Sequence, residues 1–327
     1  MLRAIYILDN FDLIYGEAHK EINERVDVYA PPQTKETIKN NPELLAEAEI
    51  IFSGWGCPKM DADFLQLAPK LQAVFYGAGS IKGIVTDAFW DRNIAITSAY
   101  EANAIPVVEF TVSQILFSLK RGWYFASQVK KMKSFSIGEK VPGGYGATVG
   151  LISLGMIGRK VANFLKQFDC HVIAYDPFVS KQEAEELQVE MCELDDVFRR
   201  ADVVSIHTPW IKETEGLITG NHLAAMKKNA TLINTSRGAI IREQEMIAVL
   251  QERPDLYALL DVTYPEPPEP NSPLYILENV ILTPHIAGSQ ASECLRMGAY
   301  MAEELKRYLD GEPLKWGISK EKVKIMA

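Results

Sequence analysis

One run, Val149, Gly150, Leu151, Ile152, Ser153, Leu154, Gly155, Met156, Ile157, Gly158, constrains the fold of this 327-residue chain more than any other stretch. An apolar strand enters a glycine-bearing turn, and a helix is expected to begin near Met156. The next strand candidate, residues 171–175, is closed by Asp176, 18 residues beyond Gly158. Strand, turn, helix, strand and terminal acid reproduce the GxGxxG fingerprint with Ser153 at its first glycine position. Gly155 lets the backbone approach a pyrophosphate at the start of the helix that Met156 and Ile157 open, and Gly158 lets that helix pack on the strand. Asp176 accepts from adenosine ribose hydroxyls and repels a 2′-phosphate, so NAD is favoured over NADP. The competing reading, a βαβ turn with no ligand, leaves the acid at that spacing unexplained. Ser153 is expected to keep a negative φ, since the position needs glycine mainly for a tight turn.

Around this run, strand-like and helix-like segments alternate. Residues 4–8, 26–30, 50–53, 73–76 and 94–97 read as strands of a first domain, with helical patterns such as 17–25 and 60–67 between them. Residues 149–153, 171–175, 203–207, 231–234, 256–261 and 280–283 read as strands of a second. Strands separated by helices call for parallel sheets covered on both faces, because parallel neighbours need long crossovers. The expected class is therefore α/β with two doubly wound domains. A long apolar stretch from Asn103, with Pro106 near its start and Lys120 and Arg121 at its end, reads as a buried helix between them. It contains Glu109, Thr111, Ser113, Gln114 and Ser118, too many polar groups for a membrane span. Residues 122–147 lose the strand and helix rhythm and read as a loop or arm over a surface, or as part of a subunit contact, ending in Pro142, Gly143, Gly144, Tyr145 and Gly146. The prolines between 264 and 273 rule out helix and central strand there and fix a stiff loop.

Composition narrows the partners. The net charge of −9 argues against nucleic acid or an anionic membrane. Cys57, Cys170, Cys192 and Cys294 are widely spaced with no CxxC pair, which suggests neither disulfides nor zinc and fits a reducing cytoplasm. No metal site is expected. Residues 1–10 carry a short apolar run interrupted by Asp9, so a first strand is expected there and no signal peptide.

Three further strand ends carry polar groups suited to chemistry. Asn234, Thr235, Ser236, Arg237, Gly238 places a guanidinium where ligands of parallel sheets gather. Asp261 is followed by the proline-stiffened Glu266, and Thr283 and Pro284 lead to His285. Taken singly, each has a bland reading: a surface ion pair, a solvated charge, a structural histidine like His19, His171 and His222. Together at one rim of a dinucleotide sheet, they form a constellation that those readings explain poorly.

At this point the chain resembles the D-isomer-specific 2-hydroxyacid dehydrogenases, including glyoxylate/hydroxypyruvate reductases and phosphoglycerate dehydrogenases. The likeness runs through Tyr76, Gly77, Ala78 and Gly79, residues 103–111, the LGMIG turn, His207 to Pro209, the NTSRG segment, Asp261 with its PEP loop, and residues 283–288. The resemblance implies a Rossmann domain, residues 101–292, inserted into a smaller flavodoxin-like substrate domain, residues 1–100 and 293–327. It also implies a homodimer through the nucleotide domain and closure of the domains over substrate. Arg237 would bind the substrate carboxylate and polarise the keto oxygen, His285 would serve as acid and base, and Glu266 would orient the imidazole and stabilise its charged form. Thr208, Pro209, Thr214, Thr235, Asp261 and Gly288 would join the glycine turn in holding NAD, with Asp261 accepting from the carboxamide. The amides of Gly77, Ala78 and Gly79, next to Tyr76, would hold the other carboxylate oxygen. Trp55, on the Ser53 to Pro58 segment, is either a pocket residue or a core residue; it favours glyoxylate or hydroxypyruvate, while Lys59 keeps 3-phosphoglycerate open. No counterpart of the extra regulatory domain of the longer phosphoglycerate dehydrogenases is expected. Related corepressors that use the same fold as a nucleotide-sensing switch are an alternative. Formate dehydrogenases are a weaker one, since they carry glutamine where Glu266 stands.

Overall fold

The computed structural model describes residues 1–135 and 138–326. Ser136 and Ile137, in the connection before the nucleotide strand, and Ala327 lie outside them. The chain divides into two compact units, Met1–Ile105 with Gly288–Met326, and Pro106–Ala287. Each crossover lies five residues from the boundary expected from sequence, which moves Gly288 into the first unit.

In the first unit, β1 (Arg3–Ile7), β2 (Asp27–Val28), β3 (Ile50–Ser53), β4 (Ala73–Tyr76) and β5 (Ala95–Ser98) form one parallel sheet in the order β2-β1-β3-β4-β5. This is the flavodoxin-like order. Consecutive residues of each strand feed opposite cores: Ile5, Ile7, Ile51 and Val74 pack on one face, and Ala4, Tyr6, Phe52 and Phe75 on the other. The expected second strand shrinks to two residues. The returning helix Glu293–Leu309 packs against the second face through Cys294, Met297, Met301 and Leu305.

The second unit holds β6 (Thr148–Ile152), β7 (His171–Tyr175), β8 (Glu190–Met191), β9 (Val203–Ile206), β10 (Thr231–Asn234), β11 (Tyr257–Leu260) and β12 (Val280–Leu282). Their order is β12-β11-β10-β9-β6-β7-β8, all parallel. The order reverses between β6 and β9, the switch point at which a doubly wound sheet opens a crevice. The sequence reading missed β8, whose two residues are too short for a periodic signal. It also took residues 122–147 as irregular, whereas Gly122–Met132 is a helix. Residues 123–132 contain neither glycine nor proline, and the turn residues at 142–146 had obscured that.

Helix Tyr100–Leu119 begins three residues earlier than expected, so Pro106 lies inside it. It is the one helix among the described residues long and apolar enough to pass for a membrane span, and half of that stretch is buried in protein. Val108, Val112, Ile115 and Leu119 belong to a core beneath the second sheet.

Candidate active site

Register brings the second unit's candidate residues onto one line. Ile152 pairs with both Tyr175 and Ile206, Ile206 with Asn234, Asn234 with Leu260, and Leu260 with Leu282. One residue further along each strand, the sheet edge carries Asp176, Ser153, His207, Thr235, Asp261 and Thr283. Parallel strands ending in step thus do the work of collecting groups that are far apart in sequence.

The glycine turn has the shape a pyrophosphate needs. A Cβ added at Gly155 would meet nothing within 4 Å, so the approach to the helix Met156–Leu165 is open, with Met156 and Ile157 on its first turn. At Gly158 a Cβ would come within 2.2 Å of the Ser153 carbonyl oxygen, so only glycine allows this helix to sit so close to the strand end. Asp176 Oδ2 accepts from Leu154 N at 2.7 Å and its Oδ1 from Phe178 N at 2.9 Å. These bonds tie the acid to the turn and leave further lone pairs for ribose hydroxyls. The residues present therefore fit a dinucleotide.

The expectation of a negative φ at Ser153 is wrong: its φ is +73°. The turn demands left-handed backbone whichever residue occupies it, at a cost of roughly 1–2 kcal/mol for a residue with a Cβ. The hydroxyl offsets part of this by pairing with Thr208 Oγ1 at 3.0 Å. Ser153→Gly is accordingly expected to be more stable than Ser153→Ala by about 1 kcal/mol, because both lose the hydroxyl bond but only alanine keeps the strain. Equal denaturation midpoints for the two variants would contradict this.

Across the switch point, His207 is buried and its Nε2 lies 3.1 Å from Ser205 Oγ. Burial pushes its pKa down to about 4, so the ring stays neutral under ordinary conditions. Thr214 Oγ1 accepts from Ile211 N and donates to the Pro209 carbonyl, folding the loop that follows Thr208. On β10, Asn234 has a structural role that its motif does not announce. Its Oδ1 accepts from Ser236 N and Oγ, and its Nδ2 donates to the Arg237 carbonyl at 3.0 Å. An Asn closing a strand before a turn is the sequence signal for such self-bonding. Thr235 shares a 2.9 Å hydroxyl bond with Thr111. Gly238 is required because a Cβ would lie 2.0 Å from the carbonyl carbon of Thr263, where the two strand-end loops touch. Arg237 is half-buried and donates from one terminal nitrogen to Ser236 O at 2.6 Å. Burial lowers its pKa and the negative charge of Glu266 opposes that shift.

His285 and Glu266 meet. Glu266 Oε1 lies 2.6 Å from His285 Nδ1, with both side chains partly open to solvent. Since a carboxylate only accepts, Nδ1 carries a proton toward Glu266 and Nε2 is turned to other use. His285 has a left-handed φ of +55°, held by its N–H donating to Asp261 O at 3.0 Å and Thr283 O at 2.9 Å. Strained backbone that its surroundings enforce is characteristic of working sites. Buried Asp261 does most of the enforcing: its Oδ1 accepts from Thr283 Oγ1 and Ile286 N, and its Oδ2 from Ala287 N. Sequence reasoning gave Asp261 to the cofactor and missed this loop-building part.

The first unit carries the other candidates. Tyr76 and Ala78 are buried, and Ser98 Oγ donates to the carbonyls of Ala78, at 2.8 Å, and Gly79. Asn103 accepts from Ser289 N at 2.9 Å and lies against both Gly79 and Gly288. Trp55 is 40% exposed, so the core reading of it fails. His19, His171 and His222 sit in local pairs with Tyr6, Glu190 and Thr219.

The family model described as D-isomer specific 2-hydroxyacid dehydrogenase, NAD binding domain, matches residues 112–287. A D-3-phosphoglycerate dehydrogenase of Methanocaldococcus jannaschii is 32% identical over 92% of this chain and 57% of its own length. The chain spans about half the length of the phosphoglycerate dehydrogenases it matches. A glyoxylate reductase of Aeropyrum pernix is 29% identical over 95% of each chain. The fold is that of the apo D-mandelate dehydrogenase of Rhodotorula graminis, with a TM-score of 0.82 at 22% identity over 97% of both chains.

Proposed function

Because the chain belongs to the D-isomer specific 2-hydroxyacid dehydrogenase family, we propose that it interconverts a small 2-oxo acid and its D-2-hydroxy acid with NAD. The observation that carries this is the 2.6 Å Glu266–His285 pair, on loops that leave the same row of strand ends as the glycine turn and the Arg237 loop. Bound NAD supplies hydride exchange at its nicotinamide C4. Arg237 holds the substrate carboxylate and polarises the keto oxygen with its planar fork. His285 Nε2 gives a proton to the alkoxide as it forms and takes it back in the reverse direction. Glu266 fixes the tautomer and offsets the charge on the ring. Gly155, Met156, Ile157 and Gly158 take the pyrophosphate and Asp176 the adenosine ribose. Thr208, Pro209, Thr214, Thr235 and Asp261 would line the nicotinamide half, with Asp261 as the acceptor for the carboxamide. Gly288, although in the first unit, stays a candidate on that side, and the amides of Gly77, Ala78 and Gly79 receive the substrate carboxylate.

Glyoxylate and hydroxypyruvate are the favoured substrates. Exposed Trp55 on the loop after β3 suits a small uncharged side chain, and the similarity to the glyoxylate reductase extends over 95% of this chain. Exposed Lys59 on the same loop supports 3-phosphohydroxypyruvate as second choice. Loss of NADH absorbance with glyoxylate, hydroxypyruvate, pyruvate and 3-phosphohydroxypyruvate tests the assignment, with the first two expected to have the highest kcat/KM. NADH binding without turnover of any of them would favour a nucleotide-sensing protein instead.

The protein acts as a homodimer through its nucleotide domain, a reading supported by the exposed Phe117, Met132, Phe135, Val141 and Tyr145 there. A monomer mass by light scattering would remove it. Four free thiols suit a reducing cytoplasm.

A further inference from the structure

The five-residue helix Phe11–Tyr15 has no part in the chemistry described so far, yet three glycines make room for it. A Cβ at Gly298, on the returning helix, would lie 1.9 Å from the Ile14 carbonyl oxygen. One at Gly54 would lie 2.8 Å from Ile14 Cδ1, and one at Gly77 would lie 2.7 Å from Ile14 Cγ2 and 2.8 Å from the Tyr15 hydroxyl. Gly54 opens the loop that carries Trp55, and Gly77 opens the loop of Ala78 and Gly79. The short helix is thus a wedge seated against the roots of both candidate substrate loops of the first unit.

Tyr15 is the tip of that wedge. It is fully buried, and the single proton of its hydroxyl is shared between Ser53 O at 2.8 Å and Phe75 O at 3.0 Å. Ser53 O also accepts from Gly77 N at 2.7 Å. One hydroxyl therefore joins the ends of β3 and β4 at the point where the chain leaves each strand. Burial raises the Tyr15 pKa well above its usual value, so the group remains a donor throughout the working pH range.

We propose that Tyr15 is a positioning residue for 2-oxo acid binding, holding loops 54–58 and 77–79 in the geometry that receives the substrate. This rests on the reading that the amides of Gly77, Ala78 and Gly79 take the substrate carboxylate. Removing the hydroxyl while keeping the ring loosens an anchor used equally in ground and transition states, which raises KM and spares kcat. For Tyr15→Phe the KM for the best 2-oxo acid is expected to rise about fivefold to tenfold, the equivalent of one good hydrogen bond, with kcat within about twofold. The Kd for NADH, read by fluorescence titration, is expected to be unchanged. A Tyr15→Phe enzyme with lowered Tm and parental KM would overturn the proposal, since that is what a purely structural hydroxyl gives. Should Tyr15→Phe fail to fold, Ile14→Val, which trims the contact beside Gly54, carries the same test: raised KM supports the wedge and parental KM overturns it. Absence of turnover by the unaltered chain is a separate result, and it contradicts the proposed function itself.

Discussion

The His285→Ala variant is expected to lose about 10²- to 10⁴-fold in turnover, the range for a positioned acid or base, while binding NADH as the parent does. The expectation follows from the division of labour on the imidazole: Nδ1 is committed to Glu266 Oε1 at 2.6 Å, and Nε2 is the nitrogen left for substrate. Backbone strain complicates the variant, because position 285 has a φ of +55° that alanine tolerates poorly. His285→Gly separates the two effects. Glycine accepts that φ at no steric cost, so it should restore any stability lost in the alanine variant without restoring turnover. Steady-state rates beside denaturation midpoints read both quantities. Parental turnover in either variant would assign the proton to another group.

Substitution of Arg237 is expected to have the second largest effect. Arg237→Ala should lower kcat/KM for 2-oxo acids by roughly 10²- to 10³-fold or more, with kcat and KM both affected, since the guanidinium is assigned both the carboxylate and the developing oxyanion. The local fold gives the variant a fair chance of surviving. Asn234 shapes the loop through the Arg237 carbonyl and Ser236, and Gly238 through its fit on Thr263, none of which uses the arginine side chain. Arg237→Lys keeps the charge and loses the planar fork, so it should recover only part of the loss. Unchanged substrate saturation in Arg237→Ala would remove Arg237 from the carboxylate site. The chain's net charge of −9 makes this test sharper, because attraction for an anionic substrate has to come from local donors.

Much of this site was legible in the residues because its chemistry depends on strand ends, and strand ends in a parallel sheet announce themselves as apolar runs closed by polar residues. The glycine turn, Asp176, Arg237, Glu266 and His285 stand out as candidates that way. The structure adds that β6, β7, β9, β10, β11 and β12 terminate in register, which no local pattern encodes. Ser153 was misjudged because the backbone of a tight turn is set by the turn, and a side chain can be strained into it when a partner such as Thr208 Oγ1 waits. Asp261 was given only half its work: the donors that engage it, Thr283, Ile286 and Ala287, arrive from more than twenty residues away in sequence. Tyr15 was invisible for a similar reason, since its hydroxyl serves carbonyls 38 and 60 residues distant. The helix Gly122–Met132 and the two-residue β8 fell to the opposite problem, signals masked by neighbouring turns or too short to register.

The most direct measurement is the configuration of the product formed from NADH and hydroxypyruvate, resolved by chiral chromatography after complete consumption of one reactant. A reductase built as described delivers hydride to one face of a substrate held by Arg237 and protonated by His285, and the product should be D-glycerate with matching loss of NADH. L-glycerate, a racemic mixture, or NADH left unconsumed with hydroxypyruvate and the other 2-oxo acids would contradict the account.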